Sequence, residues 1–112
     1  MNKNRILVLS DLREFTETVA QKAISFSNNY EKEIDVLHVE DESFLKFFKE
    51  KTECSLDKSK SILSAIYKDK ANIFCKCGNF IEIVKEHILN NNISLVIVGF
   101  KREKTFIEDI FN

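Results

Sequence analysis

Asp11 stands at the end of an apolar run, Ile6 to Leu9, with Ser10 between them. A carboxylate there can accept hydrogen bonds from a ribose or a base, because open α/β sheets bind ligands at the carboxyl ends of their strands. A strand-end or helix-capping carboxylate is the plainer reading of the same residue. Gly99 closes a second apolar run, and the cations Lys101, Arg102 and Lys104 follow it. Cations after a strand terminus and close to a helix start can hold a phosphate or another anion. A solvated charged loop competes with that reading.

The other chemistry-bearing residues point to structure. Cys75 and Cys77 are two apart on an expected strand, so they share a face and cannot easily close a disulfide with each other. Zinc normally takes four ligands, and Cys54, His38 and His87 join such a pair only if the fold gathers them. No metal is expected. His38 lies inside an apolar run with no metal-binding pattern around it and reads as a satisfied strand histidine. His87 falls near a helix C-terminus, where a cation is mildly favoured. No serine–histidine–acid order, paired acids or nucleophile with a base stands out, so no catalytic residue is assigned and no enzyme is expected.

Four strands separated by helices must position these groups. ILVLSD at 6–11 is too short for an independent helix and reads as a strand covered on both faces, the parallel-sheet signature. IDVLHV at 34–39 and ISLVIVG at 93–99 repeat the pattern, and ANIFCKC at 71–77 is a weaker copy. Phe15, Val19, Ala23 and Phe26 recur at helical spacing, which predicts a helix over about 14–29. Leu56, Ile62, Leu63, Ile66 and Tyr67 make a second stripe. Whether residues 50–55 break one helix into two stays open. Gly78 offers a strand-to-helix corner. Asn79 followed by Glu82 is a capping-box-like start for a helix carrying Phe80, Ile81, Ile83, Val84, His87 and Ile88. Parallel neighbours need right-handed crossovers, which place helices on both faces. The fold class is therefore α/β: an open, mostly parallel four-stranded sheet in the order 3-2-1-4, with the first strand central.

Composition narrows the function. The 112 residues suit a single domain over 1–112, and 44% hydrophobic content can build a core. A formal net charge of -1 with 31% charged residues gives no global drive toward nucleic acid or anionic membrane. No apolar stretch is long enough to span a bilayer, and the first residues lack a signal-peptide core. Three cysteines without an export signal read as reduced thiols in a cytoplasmic protein. With only two glycines, neither a Walker A sequence nor a dinucleotide fingerprint is present.

The order ILVLSD at 6–11, IDVLHVED at 34–41, CKCGNFIEIVKEHI at 75–88 and ISLVIVGF at 93–100 resembles the universal stress protein family over nearly the whole chain. In that family the first strand ends in aspartate and the second often reads close to leucine-histidine-valine. A glycine opens the third helix, and the fourth strand ends in valine and glycine. The resemblance implies an adenine nucleotide alpha hydrolase-like fold whose crevice is flanked by the first and fourth strands. Some members bind ATP there. In the binders the fourth strand runs into G-x2-G-x9-G-[S/T], whose backbone amides hold the phosphates. Gly99 matches the first glycine, but Arg102 stands at the second and Asn112 at the third, with no Ser/Thr after it. Asp11 matches the aspartate that contacts the nucleoside in binders. The resemblance thus keeps the nucleoside end in part and departs at the phosphate end, since arginine carries a Cβ where glycine bends the backbone.

The function expected on these grounds is a small, non-catalytic stress-response module that acts through protein contacts, with weak or no ATP binding and no required cofactor. The alternative is a module that binds ATP or another adenine nucleotide through Asp11, Gly99, Lys101, Arg102 and Lys104. A homodimer is expected, with an unidentified protein partner also in view. The apolar fourth strand invites pairing if it lies at a sheet edge, and the cluster Phe44, Leu45, Phe47 and Phe48 offers a second contact surface. Light scattering at micromolar concentration should give twice the 13.1 kDa chain mass. A chain-sized mass at every concentration ends the dimer. Loss of the dimer in Phe47→Glu, with helical signal retained, assigns the contact to the helical middle.

Overall fold

The computed structural model describes residues 5–10, 16–41 and 56–99. Within these, β1 (Arg5–Ser10), α1 (Thr16–Tyr30), β2 (Glu33–Asp41), α2 (Leu56–Tyr67), β3 (Asn72–Gly78), α3 (Phe80–Asn90) and β4 (Ile93–Gly99) follow one another. The sheet order is β3-β2-β1-β4, and every pairing is parallel. The apolar Ile6 to Leu9 run is wholly buried at its centre. Both faces of β1 are covered, as its unbroken hydrophobicity requires.

Alternation along the strands divides the core in two. Ile6, Val8, Ile34 and Val36 face α1 and α2, meeting Ala20, Ala23, Leu63 and Tyr67. Leu7, Leu9 and Leu37 face α3, meeting Phe80 and Val84. Ala20 and Ala23 let α1 approach the sheet closely, while Val19, Ile24 and Phe26 pack around them. The register of β1 against β4 slips between Arg5 and Ile6. That irregularity leaves Ser94 beside the Arg5 carbonyl, to which its hydroxyl donates at 3.3 Å, and keeps Ile93, Val96 and Val98 on the α3 side.

The element ends are chemically specified. Gly78 has φ +152°, and a Cβ there would meet Ile83 Cδ1 at 3.0 Å, so the turn into α3 needs glycine. Asn79 caps α3 by accepting from the Glu82 amide at 3.0 Å. α1 and α2 each stop at a left-handed residue, Glu31 with φ 52° and Lys68 with φ 56°. The amides of Lys32 and Lys68 satisfy the carbonyls of Ser27 and Ser64 at those ends.

Three expectations change. Ile62 is 41% exposed, so the α2 stripe is narrower than its hydrophobic residues suggest; Ser59, Leu63 and Tyr67 are its buried line. Cys77 is disulfide-bonded, against the expectation of reduced thiols throughout. Cys75 is free, so the pair is not joined to itself, as same-face placement requires. Burial pushes the Cys75 thiol up and Glu40 adds to that, while Lys60 opposes it; a protonated thiol is a poor nucleophile. Third, β3 is shifted one residue on from the expected span. The cluster at 44–48 and the question over 50–55 lie outside the described residues.

Tyr67 is 1% exposed, and its hydroxyl has no hydrogen-bond partner among the described residues. Burial pushes its pKa up to about 12. An unmade buried hydrogen bond carries a desolvation cost, so Tyr67→Phe should leave stability unchanged or raise it by up to about 1 kcal/mol. The variant should also lose less stability than the parent above pH 10, where the unfolded tyrosine ionises first. Urea denaturation measures both; a clear loss at neutral pH would mean that the hydroxyl is satisfied.

Candidate functional site at the carboxyl edge of the sheet

The chain leaves β1 for β2 and β3 on one side, then returns to place β4 on the other. The strand order therefore reverses between β1 and β4, and a crevice opens at such a point outside the carboxyl ends. Ser10 and Gly99, the last residues of these strands, are register partners. The two strands thus end level, each on one of the smallest residue types in the chain. Among the expected site residues, Gly99 is placed here. Asp11, Lys101, Arg102 and Lys104 lie outside the described residues.

His38 reinforces this edge from β2. Its ring is nearly buried, with Nδ1 2.9 Å from the Ser10 carbonyl oxygen and Nε2 3.0 Å from Glu40 Oε1. Both neighbours are acceptors: a neutral ring donates to one of them and an imidazolium to both. His38 is the satisfied strand histidine that the sequence suggests, and it ties the last residue of β1 to β2. No group of three or more metal-ligating side chains gathers among the described residues.

A second polar cluster occupies the opposite, amino end of the sheet. Asp35 is 0% exposed, on the α3 side of β2. Its carboxylate accepts from Arg5 Nη1 at 2.9 and 3.2 Å, from Asn72 Nδ2 at 3.1 Å and from His87 Nε2 at 2.9 Å. An ionised carboxylate has no proton to give, so His87 carries its proton on Nε2. Phe74 lies edge-on to that ring, with centroids 4.9 Å apart. Burial alone raises the Asp35 pKa; the hydrogen bonds from His87 and Asn72 and the Arg5 charge outweigh it, and the net shift is downward. Sequence reasoning passes over Asp35. The available signal is an aspartate inside a run that must be covered on both faces, which demands partners.

The hypothetical protein MJ0577 superposes with a TM-score of 0.72 at 19% identity, over 99% of this chain and 90% of that one. This chain has the fold of the universal stress proteins. The universal stress protein UspA from Lactobacillus plantarum matches with a TM-score of 0.59 at 11% identity, over 94% and 82% of the two chains. A member of the universal stress protein family from Burkholderia pseudomallei matches at 0.57 and 13%, over 97% and 88%. No protein-family model matches the chain, and no curated protein does. The universal stress protein resemblance noted in the sequence thus meets the same fold in three dimensions.

Because the Asp35 pKa is lowered on folding, its contribution is present above the ordinary value of 3.8 and is lost as pH falls through the folded value. Asp35→Asn should cost about 3 kcal/mol or more at pH 7, since it breaks a buried ion pair. The gap from the parent should narrow below pH 4. Denaturant unfolding from pH 7 down to pH 2.5 checks this; a gap that stays constant over that range contradicts the ionised assignment.

Proposed function

We propose that this chain is a non-catalytic adenine-nucleotide-binding module of the universal stress type, with an adenine nucleotide alpha hydrolase-like arrangement of its crevice. The observation that carries the reading is the register pairing of Ser10 with Gly99 at the point where strand order reverses. The likeness to solved universal stress proteins supports it. Asp11 follows Ser10 directly and would accept hydrogen bonds from the nucleoside. Lys101, Arg102 and Lys104 follow Gly99 and would supply charge to the phosphates, replacing part of what a glycine-rich loop does with backbone amides. The residue types suit such a ligand: small residues end the two strands, and in the sequence a carboxylate follows one strand and cations follow the other.

A second reading keeps the same fold as a protein-contact module with weak or no ATP affinity. Arg102 favours it, because its Cβ occupies a place where the nucleotide-binding pattern has glycine.

Calorimetry with MgATP on nucleotide-free protein separates the two. The nucleotide reading expects saturable binding with Kd at or below about 10 μM, equivalent to about 7 kcal/mol. It also expects Asp11→Ala and Arg102→Ala each to weaken binding at least about tenfold, or 1.4 kcal/mol. No binding heat up to millimolar nucleotide leaves the contact module. Tight binding that neither substitution alters moves the site elsewhere.

A further inference from the structure

At the end of the sheet opposite the proposed nucleotide crevice, an open groove of about 570 Å³ wraps the start of β3. That size falls within the range of small-molecule sites. Lys60, Ser64 and Lys68 line it from α2 and its C-terminal turn. Ala71, Asn72, Ile73 and Phe74 line it from β3 and the turn before it, and Arg5 from β1.

We infer that this groove is a binding site for a small phosphate-bearing anion. Its cations are of two kinds. Lys60 and Lys68 have no carboxylate within ion-pair distance among the described residues, so their charge is available to a ligand. Arg5 and Asn72 are instead held rigidly from behind, because both donate to the wholly buried Asp35 carboxylate. Asp35 is itself fixed from α3 by His87. The back wall is therefore preorganised by a buried network, while the two lysines reach in from the front. Asp35 and Glu33 offset the Arg5 charge, so Lys60 and Lys68 supply the net attraction and Arg5 supplies directed donors. The Asn72 and Ser64 side chains add neutral polar groups. Ile73 and Phe74 give an apolar flank for the body of an organic phosphate. The site is independent of the β1–β4 crevice, whose defining residues Ser10 and Gly99 lie at the other ends of their strands.

Pyrophosphate titration followed by amide chemical shifts tests the inference on the full chain. The expected result is saturable shifts at Ser64, Lys68, Asn72 and Ile73, weakened at least tenfold in the double variant Lys60→Glu, Lys68→Glu. Both positions are exposed, so the variant should fold, which its unliganded spectrum verifies. Lys85→Glu, on the exposed face of α3, should leave the affinity unchanged. Shifts that do not saturate, that fall equally around all lysines, or that survive the double variant overturn the site. MgATP binding that shifts Ser10 and Gly99 in both parent and double variant confirms that the two sites are separate. Nucleotide binding abolished by the double variant overturns the assignment of the groove as a second site.

Discussion

A single buried carboxylate ties together four of the elements that make this fold. Asp35 sits on β2, yet its partners come from β1, β3 and α3. An ionised carboxylate with no exposure is tolerable only when its oxygens are fully engaged. Here Arg5, Asn72 and His87 engage them from three directions. The requirement acts as a registration device: shifting β1 or β3 by one residue would turn Arg5 or Asn72 to the other face and leave the charge unpaired. Apolar packing makes the sheet stable. The carboxylate makes neighbouring strands and one helix agree on a single alignment.

That alignment has a consequence at the far end of the molecule. The strands run parallel, so the β1–β2 register fixed near Arg5 and Asp35 carries through to Leu9 and Leu37; β4 takes its own register from Ile6 on, past the slip at Arg5, and ends level with Ser10 at Gly99. There the polar chemistry is lighter: His38 bridges to the Ser10 carbonyl, and Glu40 steadies His38. The division is physically sensible. One end of the sheet is closed by a dense, satisfied network. The other end, where strand order reverses, retains small residues and a few polar contacts. Nucleotide sites on open α/β sheets belong at the second kind of end; the amino-end network instead backs the open groove lined by Lys60 and Lys68.

Much of the fold was legible because its signals were local. Ile6 to Leu9 is too apolar to face water on either side, and that calls for a strand covered on both faces; the equally apolar ISLVIVG at 93–99 forms the less covered β4, where Leu95 is 37% exposed. Gly78 and Asn79 announce a corner and a helix start, and both play the expected part, with Asn79 accepting from the Glu82 amide. What could not be read depended on tertiary partners. Asp35 and His87 are 52 residues apart, and nothing local joins them. Ile62 belongs to an apolar stripe but faces outward, because α2 buries only the line through Ser59, Leu63 and Tyr67. The Cys77 disulfide likewise depends on a contact that spacing does not specify. Of the candidate site residues, Gly99 ends β4 in register with Ser10 at the end of β1.

The central claim is that the reversal of strand order between Ser10 and Gly99 is a nucleotide crevice. A crystal structure of the chain grown with MgATP tests it most directly. The account predicts adenosine density against the carboxyl ends of β1 and β4, with the Asp11 carboxylate on the nucleoside and the residues after Gly99 around the phosphates. Nucleotide bound at any other surface, or a crevice occupied by the chain's own side chains at saturating ligand, would contradict it.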